Sequence, residues 1–224
     1  RADSVLASTG FQILRETAAT GYTNPYYDAA APKGSPYRKM LAALWRESPM
    51  DRLEPGEQLA TMASLLHRDQ AGIPFVSALI RRSGLPARRW LMEYLHTYLV
   101  PVLHCFYAYR LAFMPHGENL ILVLRNGVPV RALMKDIGEE IIVMADKMEL
   151  PRDVARIRVD VPAEEQVLSL YTDVIDCFFR FLAAVLHEDG QLTQAEFWDT
   201  VAEVVRAYQA ERPELAEAFA APDL

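Results

Sequence analysis

The stretch from Glu118 to Asp136, ENLILVLRNGVPVRALMKD, limits the fold more than any other. Two apolar, branched-rich runs flank Asn126-Gly127, the pair that supplies the two positive φ angles of a type I′ turn, and this predicts a β-hairpin over 119–136. Pro129 has no N–H to give to a ladder, so its position belongs at an outward edge or a bulge. Counted out from the turn, Asn119 faces Met134, with Asp136 one or two positions beyond. Such a hairpin carries the polar run His116-Gly117-Glu118-Asn119 and the returning Lys135-Asp136 to the same end.

Around this hairpin the pattern is mostly helical. Pro55 opens a predicted helix whose apolar face is Leu59, Met62, Leu65 and Leu66, and IPFVSALIRRSG is a short helix closing at Gly84. From Pro86, Leu91, Leu95, Leu99, Val102, Phe106, Tyr109 and Phe113 recur on one stripe, with apolar residues on the other faces too, which places this helix inside a bundle. Pro101 within it is expected to kink the axis. A second core helix is predicted after Pro162, with acids in its first turn, His187 in its last and Gly190 beyond, then a helix opened by the capping box Thr193 to Glu196 and a short one after Pro213. The first fifty residues differ: ASTGFQILRE and KMLAALWRESP read as strand-like edges, and the intervening TGYTNPYYDAAAPKGSPY, dense in turn formers, reads as a loop. The predicted fold class is α+β and mainly α, a helical bundle with an inserted hairpin. A mixed segment at 1–52 precedes a helical unit at 53–224.

The 224 residues are 51% hydrophobic, which is a globular composition, and the formal charge of -7 argues against a nucleic-acid footprint. Cys105 and Cys177 lie far apart in helical patterns with no CxxC, so a disulfide framework or cysteine-metal cluster is not expected, and buried reduced thiols fit a cytoplasmic protein. The chain opens on Arg1 without a basic, apolar leader and reads as a fragment. The greasy stretch Trp90 to Met114 is interrupted by Glu93, His96, Pro101, His104 and Arg110; ionisable groups cost about 3 kcal/mol near a bilayer centre, so a buried helix is preferred over a membrane span.

Glu118, Asn119 and Asp136 are oxygen donors of the kind Mg²⁺ takes beside phosphate oxygens and water, and His116 and Lys135 can meet negative charge. By spacing alone the cluster is equally compatible with turn chemistry and a solvated strand end. The other histidines, His67, His96, His104 and His187, form no HExxH pair and read as core or helix-end residues. Arg81, Arg82, Arg88 and Arg89 read as a solvated knot between helices, and Arg46-Glu47 as a surface ion pair unless a family pattern says otherwise. The aromatic series Trp90, Tyr94, Tyr98, Phe106, Tyr107, Tyr109, Phe178, Phe179 and Phe181 has core spacing.

The string FYAYRLAFMPHGENLILVLRNGVPVRALMKDIGEE, with LWRESP upstream, resembles the carboxy-terminal palm of the NRPS-independent siderophore (NIS) synthetases, in particular the hydroxamate branch of the alcaligin and desferrioxamine type. The resemblance implies an ATP- and Mg²⁺-dependent ligase. A substrate carboxylate attacks the α-phosphate, pyrophosphate leaves, and an amine captures the acyl adenylate. It implies hydroxamate precursors as substrates, a thumb and fingers part upstream of Arg1, a homodimeric full enzyme, and a fragment that folds without catalysing. Carried over, His116 is the catalytic contact to carboxylate or phosphate, Glu118, Asn119 and Lys135 lie at the nucleotide, and Asp136, Glu118 and Asn119 are metal ligands. Many relatives read Glu-Ala-His-Gly-Gln-Asn where this chain has Met114-Pro115-His116-Gly117-Glu118-Asn119, so one carboxylate is lost before the histidine and one gained after it. Alternatives are a kinase-like small-molecule phosphotransferase, which also sets a His-containing loop and Asn before a hairpin and a metal-binding Asp after it, and a ferric-siderophore binding or reductase module, for which two cysteines are too few to ligate an iron-sulfur cluster.

Overall fold

In a computed structural model of the chain, which describes residues 3–22, 24–32, 34–138, 140–144 and 149–220, the elements are α1 (Ser4–Thr9), β1 (Gln12–Ile13), β2 (Glu16–Gly21), α2 (Pro25–Ala30), β3 (Ala42–Arg46), β4 (Glu57–Thr61), α3 (Phe75–Ser83), α4 (Ala87–Tyr109), β5 (Leu111–Phe113), β6 (Leu120–Arg125), β7 (Val128–Met134) and β8 (Ile141–Val143). A continuous helical segment follows, made of α5 (Leu168–Leu170), a π-helical stretch Tyr171–Phe179 and α6 (Arg180–Glu188), and then α7 (Gln194–Ala210) and α8 (Ala216–Phe219). The fold is α+β and mainly helical, as the sequence predicts.

The hairpin forms as predicted. Asn126 and Gly127 take φ of 51° and 82°, and β6 pairs antiparallel with β7. Between Val123 and Leu124 the partner on β7 jumps from Arg131 to Pro129, so Val130 is an extra residue and Pro129 sits at the bulge. Alternation divides the hairpin: Leu120, Leu122, Leu124, Ala132 and Met134 enter the main core under α4, while Val123 and Leu133 join Leu14 on the opposite face. The turn is pinned to α4 by Trp90, whose indole N–H donates to the Gly127 carbonyl at 2.8 Å. A Cβ at Gly127 would come within 2.8 Å of the Leu79 carbonyl, so only glycine allows α3 this close to the turn.

Helix α4 is buried along most of its length, with Pro101 inside it. It ends earlier than the apolar stripe suggests, because Arg110 turns left-handed (φ 52°) and Leu111–Phe113 pairs with β8. The aromatic series is core except at Tyr109 and Phe181, which are exposed. Helix α7 opens with both bonds of its capping box.

Four expectations are corrected. The segment after Pro55 is not a helix: Glu57–Thr61 is a strand whose register on β6 runs from Glu57 opposite Arg125 to Thr61 opposite Ile121, and Met62–Leu66 is a 3-10 turn. β6 offers an open edge, and Leu59 packs on the far face of the sheet with Leu14, Val123 and Leu133, so pairing overrides the local period. Second, the strand-like start is helical at Ser4–Thr9, because the Asp3 carboxylate caps the N–H groups of Val5 and Leu6 at 2.9 Å each, and strand begins only after Gly10. Third, the Thr20–Tyr37 loop contains helix α2. Fourth, the helix expected from Pro162 starts at Leu168, which leaves Glu164 and Glu165 outside it, and runs in π register over nine residues.

The four-stranded sheet has the order β1-β7-β6-β4, with β1 parallel to β7. β2 and β3 form a separate ribbon. No helix among the described residues is long and apolar enough to cross a membrane.

Candidate functional site

The bulge at Val130 advances β7 by one residue. Leu120 therefore faces Met134, and the Asn119 carbonyl accepts the Lys135 N–H at 2.9 Å, where unbroken counting from the turn puts Met134 opposite Asn119. The polar run before β6 and the pair after β7 do meet at one end of the hairpin.

The run is folded tightly. The Ala63 N–H donates to the Gly117 carbonyl at 2.8 Å, and a Cβ on Gly117 would come within 3.0 Å of both Ala63 and the Phe178 ring. His116-Gly117 is thus clamped between the 3-10 turn after β4 and the π-helical stretch. Asn119 is buried; its amide nitrogen donates to the Met114 carbonyl at 3.1 Å and to the Glu140 carboxylate, and lies 3.3 Å from His116 Nε2. Its Oδ1 receives no hydrogen bond among the described residues. Glu118 is exposed beside it.

Asp136 is a non-glycine residue with φ of 58°, an unfavourable backbone held in place by its side-chain bonds. Arg46 grips Oδ1 and the Lys135 ammonium grips Oδ2. Arg46 comes from β3, and Glu16 of β2 lies 4.0 Å from it. A Cβ on Gly138 would collide with the Glu16 carboxylate at 2.3 Å, so that glycine lets the loop after β7 close on the ribbon. Arg46 does not pair with Glu47, which binds Arg15 and Arg52 instead; the surface-pair reading of Arg46-Glu47 is corrected, and Arg46 belongs to this cluster.

Two residues that the sequence reading passed over complete the arrangement. Glu140 anchors Asn119. Asp173, in the π-helical stretch, is within electrostatic reach of His116 and Glu140. Burial pushes its carboxyl above the usual range, the imidazole of His116 pulls it back, and the charge of Glu140 adds to the rise. The inward positions of this stretch, Asp173 and Val174, then Phe178 and Phe179, repeat at five residues, the hydrogen-bond spacing of a π turn. An acid is thereby set on the same face as two core phenyl rings. The sequence signal is two carboxylates, Asp173 and Asp176, in an otherwise apolar run, and an α-helical reading does not say which of them turns inward.

No group of three or more His, Cys, Asp or Glu side chains among the described residues forms a ready metal cage. The donor set still fits Mg²⁺ in the mode that uses one or two protein oxygens and completes the shell with phosphate and water: the open Asn119 Oδ1, the exposed Glu118 carboxylate and Asp136 are all hard oxygen donors. The site thus has a cationic half, Arg46 and Lys135 about Asp136, and an anionic half, Glu140 and Asp173 about His116 and Asn119.

The remaining candidates lie elsewhere. His96 is exposed, and His104 is buried between Asp3 (2.9 Å) and the Tyr208 hydroxyl (3.0 Å), a structural link. Arg81, Arg82, Arg88 and Arg89 are exposed, as expected of a solvated knot. Cys105 is buried and Cys177 exposed, so the expectation of two buried thiols holds only for Cys105.

Comparison with known proteins gives two family matches: residues 1–67 to the IucA / IucC family, and residues 88–224 to the ferric iron reductase FhuF-like transporter family. Putrebactin synthase of Shewanella sp. (strain MR-4) is 50% identical over 99% of this chain and 35% of its own length. Aerobactin synthetase IucC from a hypervirulent pathotype of Klebsiella pneumoniae superposes with a TM-score of 0.86 at 30% identity, over 98% of this chain and 39% of that one. The ATP-bound aerobactin synthetase IucA of the same pathotype shares the fold, with a TM-score of 0.68 at 18% identity over 93% of this chain and 38% of that one. The chain spans about a third of the length of the curated relatives it matches.

Proposed function

The chain belongs to the NRPS-independent siderophore synthetase family, with an IucA / IucC segment at 1–67 running into an FhuF-like segment at 88–224, and from that premise we propose that it is the palm portion of a cytoplasmic ATP-dependent ligase. This ligase adenylates the carboxylate of a succinylated hydroxydiamine and condenses it with an amine to build a hydroxamate siderophore of the alcaligin type. In this reading residues 1–52 lead from the thumb and fingers part, residues 53–224 are the palm with its hairpin at 119–136, and the complete enzyme is a homodimer.

The observation that carries the reading is the convergence of His116, Asn119, Lys135 and Asp136 at the hairpin base, with Arg46 delivered from β3. Lys135 and Arg46 present fixed positive charge to the triphosphate, and partial release from Asp136 on nucleotide binding exposes that carboxylate as an oxygen donor. His116, held by Asn119 in the anionic half, contacts the reacting carboxylate or α-phosphate. Glu118, Asn119 and Asp136 would hold Mg²⁺, which supplies charge neutralisation on the phosphates. Pyrophosphate departs, and the amine attacks the acyl adenylate with loss of AMP and a proton.

The FhuF-like match does not favour a reductase reading of this chain, since Cys105 and Cys177 are its only thiols and one of them is buried. A phosphotransferase would release ADP, whereas the ligase releases AMP and pyrophosphate. The deciding experiment is a pyrophosphate-release assay on the complete synthetase with a panel of succinylated hydroxydiamines. His116→Ala and Asp136→Ala are expected to abolish release while folding persists; undiminished release by both would remove the site assignment.

A further inference from the structure

Asp173 is the most conspicuous charged group in the site that the adenylation chemistry does not use. It is 8% exposed and accepts no hydrogen bond and forms no ion pair among the described residues. A buried carboxylate normally has a cationic or donor partner, because desolvation without one costs several kcal/mol, on the order of the penalty for an unpaired buried ion. The groups within electrostatic reach of it are the His116 imidazole, the Glu140 carboxylate and the Tyr98 hydroxyl, and the π-helical stretch that carries it packs directly on His116-Gly117 through Phe178. Tyr98 is turned away and gives its proton to the Pro115 carbonyl at 2.7 Å. Among the described residues Glu140 makes no ion pair either, and its one hydrogen-bond partner is the Asn119 amide. The site's own cations, Arg46 and Lys135, are both committed to Asp136. Two carboxylates thus lie within electrostatic reach of each other beside the His116 imidazole, and among the described residues no Arg or Lys pairs with either.

The arrangement is built into the backbone. The π register puts Asp173 inward, Phe178 on the same face wedges against Gly117, and Phe179 locks the stretch to Tyr94 and Tyr98 of α4. Asp173 therefore cannot swing out to solvent without breaking core contacts. What the pair lacks is a compact cation with several N–H donors, delivered from outside the protein; a primary ammonium has three.

Resting on the ligase reading above, we propose that Asp173 and Glu140 form the subsite that receives the primary ammonium end of the acyl-acceptor substrate, beside His116 and away from the Arg46–Lys135 side where phosphate belongs. The two halves of the site then sort two substrates by charge, the anionic nucleotide to one and the cationic amine to the other. A chain carrying a neutral or acidic group in place of the ammonium is rejected, since the two carboxylates stay unpaired.

The test is equilibrium binding of n-butylamine and 1,4-diaminobutane to the complete synthetase by calorimetry, with pyrophosphate release measured separately. Asp173→Asn, nearly isosteric, is expected to weaken amine binding at least tenfold, Glu140→Gln by a smaller factor, and Asp173→Glu to restore part of it. Equal affinity in wild type and Asp173→Asn, or no amine binding by wild type, overturns the subsite. Loss of Mg²⁺-dependent pyrophosphate release in Asp173→Asn with amine binding intact overturns it as well and gives this half to the metal. Because amine binding is read without turnover, a wild-type enzyme that binds amine through Asp173 but releases no pyrophosphate refutes the ligase and leaves the subsite standing.

Discussion

The backbone N–H of Lys135 donates to the carbonyl of Asn119 at 2.9 Å, one residue out of step with a regular ladder counted from the Asn126-Gly127 turn. The extra residue is Val130, at the bulge beside Pro129. Closing the hairpin on Lys135 leaves Asp136 as the first residue beyond the ladder, free to adopt φ of 58° and to turn its carboxylate between Arg46 and Lys135. A left-handed, non-glycine residue at this point costs about 1 kcal/mol or more, which the two charged contacts offset.

This separates two variants at one position. Asp136→Gly relieves the backbone while removing the carboxylate, whereas Asp136→Val removes the carboxylate and forces a β-branched residue into the left-handed region. Urea denaturation of the 224-residue chain is expected to show the valine variant less stable than the glycine variant by about 1–2 kcal/mol, with ligation by the complete synthetase lost in both. Equal stability of the two would mean that the φ angle at Asp136 is not maintained in solution.

Glu57 governs stability on the other side of the sheet. Its side chain is 1% exposed and meets Arg131 and Arg125 (3.0 Å to the latter). Replacing it by glutamine keeps the shape but removes the charged partner of the Arg131 guanidinium, which retains the Arg52 carbonyl at 3.0 Å and whose Nε has no partner among the described residues. The expected loss is about 3 kcal/mol, the scale for breaking a buried pair, read from the urea midpoint at unchanged slope.

Asp3 makes folding sensitive to acid. Burial alone raises its carboxyl, but hydrogen bonds from Tyr109, the Leu6 N–H and His104 outweigh this and hold it well below the usual carboxylate range. A folded pKa below the unfolded one stabilises the protein above the unfolded value of about 3.9, and that contribution is lost as pH falls toward the folded value. Asp3→Asn should therefore lower the thermal midpoint by a constant amount above about pH 5, with the gap to wild type closing as the pH is taken below the ordinary carboxylate range. A gap independent of pH would show that the cap acts by geometry and not by charge.

What the sequence showed and hid follows from where the information lies. Asn126-Gly127, the Thr193–Glu196 capping box and Gly84 act within a few residues of themselves, so the hairpin, α7 and the end of α3 were legible. Glu57–Thr61 was misread because its helical period is real but its fate is decided by β6, some sixty residues away. Arg46 stood out only through the family resemblance, since nothing in Leu44-Trp45-Arg46-Glu47 reveals that β3 ends beside Asp136. Asp173 was hidden by register, because an α-helical spacing does not pair it with Phe178, and a π spacing does.

The same register sets the last expectation. Asp173 has its folded carboxyl raised, first by burial and further by Glu140, against the pull of His116. Its sign is opposite to that of Asp3: the stability tied to its protonated form is complete below the unfolded pKa and is lost as pH rises through the higher folded one. At neutral pH the ionised side chain therefore works against folding, as expected of a group kept for binding and not for structure. Asp173→Asn should raise the stability of the chain at pH 7 by about 1 kcal/mol, the usual scale for relieving a strained functional position, and should flatten the decline in stability just above the ordinary carboxylate range. Thermal unfolding of wild type and variant from pH 3.5 to 8 measures both. A variant less stable than wild type at neutral pH would mean that the Asp173 carboxylate has a stabilising partner within the fold, and the case for an external cation would lose its footing.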